Sequence, residues 1–252
     1  MRRQVLLLVC AVQFLTRLPT PRLAGFETDW ISRAARYFPL VGQIVGATCA
    51  AVFLGAGQVW PPAIAALLAV GAGVLVTGGF HEDGLADTAD GLGGGSDAAR
   101  RLEIMKDSRV GTYGVLALGL VLAVKVAALA QLAPWAGALA LVAAHGGARA
   151  AAVVVMRLVP YVGHLEASKW KPAPANLSAG EVALALALGA WPMLLSAPTV
   201  ALAGLGAGVL AAAVPALAAR RLIGGYTGDV LGAVEQLFEA GFLLGAAAVL
   251  SA

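Results

Sequence analysis

Residues 61–91 read PPAIAALLAVGAGVLVTGGFHEDGLADTADG, and the change of character inside this stretch decides how the chain is built. Pro61 to Gly79 carries no charge and approaches the roughly 20 apolar residues that an α-helix needs to cross a hydrocarbon core about 30 Å thick. His81 to Gly91 then crowds Glu82, Asp83, Asp87 and Asp90 beside a histidine. An apolar run that ends in dense acid reads as a membrane helix emerging into a polar excursion.

Working outward, seven runs of this apolar kind appear: Tyr37 to Ala56, Pro61 to Gly79, Tyr113 to Gln131, Pro134 to Val155, Ala179 to Ser196, Thr199 to Ala218 and Leu231 to Ser251. The chain as a whole is 60% hydrophobic and 12% charged, with a mean hydropathy of +0.85. That balance excludes an ordinary soluble domain. The excess is carried by Ala, Leu, Val and Gly, small residues that let helices approach closely where lipid supplies no hydrophobic drive. The expected fold class is all-α, a polytopic membrane bundle of about seven transmembrane helices forming one domain over residues 1–252, with no internal repeat.

The connections alternate. Gly57 to Trp60, Leu132 to Ala133 and Ala197 to Pro198 are uncharged, whereas Met1 to Arg36, Phe80 to Thr112, Met156 to Ser178 and Ala219 to Val230 hold every basic residue except Lys125 and Arg149. The positive-inside rule puts the charged connections in the cytoplasm and the C-terminus outside. It also accounts for the net charge of +3 without nucleic acid. Val5 to Leu15 is too short to span and lacks a small-residue cleavage site, so it reads as a retained interfacial or re-entrant helix. Cys10 and Cys49 stand in apolar surroundings without metal-ligand spacing and read as packing residues.

The chemistry gathers in the excursion from Phe80 to Thr112. On a continuing helix, Asp83, Asp87 and Asp90 fall at i, i+4 and i+7 and share one face. Stacked carboxylates repel, and a hard cation relieves them. With no cysteine and one nearby histidine, Mg²⁺ or Mn²⁺ suits the donors better than zinc. Because Mg²⁺ shares its shell with phosphates, the expected substrate carries a diphosphate. Gly93-Gly94-Gly95 then permits a reversal, and Arg100, Arg101, Lys106 and Arg109 return with positive charge suited to a departing phosphate. His81 is expected to orient by hydrogen bonding. Gly224-Gly225-Tyr226-Thr227-Gly228-Asp229 is either a glycine turn capping the last helix or a close approach to phosphate or ribose. Inside the apolar runs, Lys125, His145, Arg149, Glu235 and Glu239 must pair or line a polar cavity, with Arg149 expected to meet Glu235 or Glu239.

The run His81-Glu82-Asp83-Gly84-Leu85-Ala86-Asp87-Thr88-Ala89-Asp90-Gly91, followed by Leu102-Glu103-Ile104-Met105-Lys106-Asp107-Ser108-Arg109-Val110-Gly111-Thr112-Tyr113-Gly114, resembles the signature of the cobalamin synthase family, the adenosylcobinamide-GDP ribazoletransferases. Gln13 to Pro19, Phe38 to Gly42 and Gly225 to Ala233 extend the likeness along the chain. The resemblance implies a Mg²⁺-dependent transferase of the bacterial inner membrane, its active site facing the cytoplasm. It would join adenosylcobinamide-GDP to α-ribazole or its 5′-phosphate and release GMP, a late step of cobalamin biosynthesis. Its implied partners are these small molecules and membrane lipid, with self-association left open. On this reading Asp83, Asp87, Asp90 and Glu82 are the metal candidates, and Asp87, Lys106, Asp107 and Arg109 the catalytic ones. Arg100, Ser108, Thr112, Thr227, Asp229 and Arg149 are the substrate contacts. A ribose hydroxyl attacks the phosphorus attached to cobinamide, Lys106 or Arg109 steadies the leaving GMP, and Asp87 or Asp107 takes the proton.

Two other readings share some of these features. A CDP-alcohol phosphotransferase also pairs membrane helices with an Asp-rich motif, although Lys106-Asp107-Ser108-Arg109 speaks against it. A cation transporter would use Lys125, Arg149 and Glu235 as a pathway, but has no need of the charged excursion.

Overall fold

The computed structural model describes residues 2–21, 23, 29–163 and 177–250; Ser251 and parts of the connections Met1 to Arg36 and Met156 to Ser178 lie outside them. The described elements are helical. They run α1 (Arg2–Leu15), α2 (Trp30–Ala34), a 3₁₀ turn (Ala35–Tyr37), α3 (Phe38–Ala56), α4 (Pro62–Thr77), α5 (Phe80–Gly94), α6 (Ala98–Ile104) and α7 (Thr112–Ala130). There follow α8 (Pro134–Leu158), α9 (Ala179–Ala190) with a 3₁₀ continuation (Trp191–Leu195), α10 (Pro198–Leu222) and α11 (Gly228–Leu250). Starts are chemically marked. Pro62, Pro134 and Pro198 open their helices, where the missing N–H leaves nothing unsatisfied. Ser178 and Glu181 form a capping box on α9.

Each of the seven apolar runs is helical, but they are not equal. Among the described residues, five helices are long and apolar enough to cross a bilayer alone. The first begins at Trp30 rather than Tyr37, which draws Arg33 and Arg36 into it; both reach Glu181 of α9, at 3.1 and 2.7 Å. Ala179–Leu195 is shorter than these five. The remaining run, α4, is where the sequence expectation of one continuing helix fails. Gly78 and Gly79 adopt φ of 72° and 74°, a left-handed pair that glycine tolerates and other residues avoid. The chain turns by 91° there, so α5 runs across the direction of α4 and along the end of the bundle. The expected reversal at the glycine triplet is also later than its first residue, because α5 persists to Gly94. Helix α1 packs Leu7, Cys10, Ala11 and Leu15 inward beside α2 and α3.

Depth within the bundle separates the helices. In the most apolar window of α11, 83% of residues are buried, and in α8 72%, against 28% for α7 and α10; α8 and α11 are therefore the axis and the others face lipid. Small residues permit this closeness. A Cβ on Gly46 would stand 2.7 Å from the Leu141 carbonyl oxygen, and one on Gly241 2.6 Å from that of Ala207. Such contacts let α3 reach α8 and α10 reach α11.

Charge inside the axis is paired. Glu239 on α11 accepts from Lys125 Nζ of α7 at 2.5 Å and from Arg149 of α8, and its Oε1 lies 2.8 Å from His145 Nδ1. One turn earlier, Glu235 Oε2 lies 3.0 Å from Arg149 Nε and 2.9 Å from His81 Nε2 of α5. Gln236 accepts from Lys125 at 3.0 Å and donates to Glu82 at 2.9 Å. Arg149 thus meets both expected glutamates. Removing one member of a buried ion pair costs about 3–5 kcal/mol because its partner is stranded. Glu239→Ala should therefore lower the unfolding midpoint in detergent sharply, whereas Glu103→Ala, which breaks only an exposed pair with Arg100, should leave it unchanged; equal midpoints for the two variants would refute the account.

Candidate active site

Helix α5 is amphipathic in a particular sense: one side looks into the bundle and the other out of it. His81 and Glu82 are buried at 2% and 8% exposure, whereas Asp83 is exposed and Asp87 half-buried. The inward pair joins the ion network just described. The outward aspartates stay at the bundle end, because α5 rests on α11 through a close contact between glycines. A Cβ on Gly84 would come 2.9 Å from the Asp229 carbonyl oxygen, and one on Gly232 would come 3.0 Å from that of His81. Distant in sequence, Asp229 is thereby brought beside the α5 aspartates.

The crowding is visible in Asp87. Burial first, then the charges of Asp83, Asp229 and Asp90, push its carboxyl up to about 7. Asp229 itself is steadied by Thr227, whose hydroxyl donates to Oδ2 at 3.2 Å and accepts the Val230 N–H. The turn carrying both residues is pinned by Tyr226, whose N–H donates to Pro160 O at 2.8 Å and whose carbonyl accepts from Val162 N at 2.9 Å. Tyr161 stacks edge-on against Tyr226. Burial and then Asp229 raise the Tyr161 hydroxyl. No signal in the sequence marks Tyr161 as a neighbour of the acids, since the pairing joins two loops far apart along the chain.

One metal candidate, Glu82, is corrected by this arrangement, and another, Asp90, is tied down without leaving the cluster. Asp90 accepts from Gly111 N at 2.7 Å and Gly114 N at 2.8 Å, one bond on each oxygen, which ties it to the first turn of α7, whose free N–H groups attract negative charge; each oxygen keeps a further acceptor position, and its charge still bears on Asp87. Glu82 turns into the bundle, toward Gln236, away from the aspartates. Among the described residues no three acid, His or Cys side chains converge as a complete metal shell. The outward donors, Asp83, Asp87 and Asp229, are hard carboxylate oxygens in a repelling group. They fit Mg²⁺, which is held through one or two carboxylates and keeps water or phosphate in its other positions.

On the basic side, α6 begins at Asp97, whose side chain accepts the Arg100 N–H at 3.0 Å. Arg101 and Met105 of this return lie against Gly91, which keeps it close to α5. Arg100 is paired with Glu103 at 2.7 Å. Arg109 grips Asp107 through Nε and Nη2, at 3.0 and 2.6 Å, and holds that carboxyl down at about 2. Lys106 is exposed and makes no ion pair among the described residues; with Asp107 it lines a cavity of about 490 Å³ against Ala99, Leu102 and Glu103. Ser108 and Thr112 are exposed on the same return. Arg149 is the other correction: at 1% exposure and held by Glu235 and Glu239, it belongs to the interior and does not reach the surface site. His81, expected beside the aspartates, orients through Glu235 and Arg149 instead.

These features define an all-α, multi-pass membrane protein with a carboxylate cluster and an adjoining basic return at one end of its bundle. The family model described as Cobalamin-5-phosphate synthase matches residues 7–247. Curated proteins named adenosylcobinamide-GDP ribazoletransferase are similar throughout. That of Leptothrix cholodnii is 47% identical over 93% of this chain and 92% of its own length. Those of Shewanella frigidimarina and Shewanella amazonensis are 44% and 43% identical over 94% of this chain, covering 92% and 93% of their own. No solved structure matches. The chain belongs to the cobalamin-5-phosphate synthase family and is a transferase.

Asp87 and Asp90 should respond oppositely to substitution. An ionised Asp87 is repelled by its neighbours, so Asp87→Asn should leave the metal-free unfolding midpoint unchanged or higher while activity is lost. Asp90→Ala removes a helix cap and should cost about 0.5–2 kcal/mol of stability. A lower midpoint for Asp87→Asn, measured in detergent with chelator, would show that the crowding is not real.

Proposed function

We propose that this chain transfers the activated cobinamide of adenosylcobinamide-GDP to α-ribazole or its 5′-phosphate, releasing GMP. The work is done at the cytoplasmic face of the bacterial inner membrane by a single membrane-embedded domain. The observation that carries the proposal is the meeting of Asp83, Asp87 and Asp229 on and beside a helix whose Gly91 also receives the basic return that carries Lys106, in a chain whose relatives bear that activity in their names. The two sides suit the two ends of the reaction. Carboxylates favour a hard cation on a diphosphate, and an unpaired ammonium favours the charge that gathers on the departing phosphate.

Mg²⁺ would be held through one or two carboxylates of the group Asp83, Asp87 and Asp229 and would supply charge neutralisation on the diphosphate oxygens. A ribose hydroxyl of the ribazole forms the new O–P bond to the phosphorus on the cobinamide side, and the bond to GMP breaks. Lys106 is the better counter-charge for the leaving group, because Arg109 is already committed to Asp107. The hydroxyl proton passes to a carboxylate of the cluster. Asp107, held down at about 2, has little affinity for it at neutral pH. The alternation of charged and uncharged connections supports the cytoplasmic placement.

The transporter reading loses ground on one observation. The interior charges are closed on one another, and the cavity among them is only about 10 Å³, room for about one water. Purified protein supplied with adenosylcobinamide-GDP, α-ribazole and Mg²⁺ should release GMP in step with cobamide, and chelation should stop it. Lys106→Ala should lower kcat by about 10²-fold. GMP release that persists unchanged in both Asp83→Asn and Lys106→Ala would defeat the site assignment; no GMP release from the wild type would defeat the reaction.

A further inference from the structure

On the flank away from α5, the helices α8, α9, α10 and α11 do not close completely. They leave a groove of about 360 Å³ whose walls are apolar except for one residue, Arg220. It starts near the middle of the bundle, at Gly147, Met193, Leu205 and Phe238, and runs to the helix ends at Leu158 and Arg220. Along α10 the stretch Leu205–Arg220 rises about 22 Å, enough to traverse one leaflet of a hydrocarbon core about 30 Å thick. Its rim residues Leu186, Leu205, Val209 and Leu217 are exposed, so the groove opens to the surrounding solvent, which for these helices is lipid.

An apolar groove at this depth does not hold water, and an empty one forfeits the dispersion contacts of its walls. Hydrocarbon therefore fills it. What distinguishes this groove from ordinary lipid contact is its end. Arg220 is exposed in the last turn of α10 and has no hydrogen bond or ion pair among the described residues. Arg221 and Arg157 close α10 and α8 at the same end and are also exposed. Arginine in this position lays its stem along apolar surface and lifts its guanidinium to the headgroups, where a phosphate is matched by charge and by two parallel donors.

We propose that the groove is a specific site for one anionic glycerophospholipid, an acyl chain lying between α8 and α10 and the headgroup phosphate on Arg220. The site stands apart from the aspartate cluster and does not depend on the reaction proposed for it.

The test is native mass spectrometry of the full-length protein, released from detergent after addition of dioleoyl phosphatidylglycerol or dioleoyl phosphatidylcholine. One phosphatidylglycerol per chain should be retained, with about fivefold weaker retention of phosphatidylcholine, the scale of one basic residue meeting anionic lipid. Arg220→Gln should abolish that preference. Ala213→Leu, which narrows the groove at a half-exposed position, should reduce retention of both lipids; unfolding midpoints matching wild type would show that both variants fold. Equal retention of the two lipids by wild type, an undiminished preference in Arg220→Gln, or a dimer in solution whose contact covers the groove would each overturn the proposal.

Discussion

Glu235 and Glu239 on α11, held by Arg149, Lys125 and two histidines, are the constraint on which the rest of this bundle depends. Charge left alone in hydrocarbon is expensive, so no arrangement of these helices is tolerable that does not bring α7, α8 and α5 to the same stretch of α11. Apolar matching alone would not select it, since lipid satisfies a leucine as well as a neighbouring helix does. The ion network therefore supplies the specificity of the fold, and the glycine contacts supply the closeness that lets it form.

That constraint reaches the surface site through α5. His81 and Glu82 face the network while Asp83 and Asp87 face outward, so the same helix is anchored by one side and functional on the other. Turning α5 about its axis would break the buried contacts. A left-handed pair of glycines starts it across the bundle end, Asp90 ties its far end to α7, and Gly84 sets it against Asp229. Repulsion among the outward carboxylates is thus held in place by unrelated favourable contacts. This is how a metal site can be prepared before its ion arrives: the stability lost to crowding is offset elsewhere in the bundle.

The basic return follows the same economy. Most of its charges are satisfied locally, Arg100 by Glu103 and Arg109 by Asp107, and such exposed pairs contribute little to stability. Their effect is to leave Lys106 as the ammonium of the return that makes no ion pair among the described residues. Pairing also removes Asp107 from contention as a base by drawing its proton affinity down. Sequence proximity had made these residues look equivalent, and their hydrogen bonds separate them.

Several features could be read from residues alone because they rest on short-range rules. Run length and absence of charge marked the membrane helices. The compensation demanded of buried charge paired Arg149 with the α11 glutamates, and acid density marked α5. What the sequence could not decide was direction. A helical wheel put Asp83, Asp87 and Asp90 on one face, yet it could not show that Asp90 is bonded to the N–H groups of α7 or that Glu82 turns to Gln236, partners more than twenty residues away. Asp229 and Tyr161 enter the site only because α11 lies under α5 and two loops are bridged. Local chemistry determines which residues must be compensated; the packing of distant helices determines which partner each one finds.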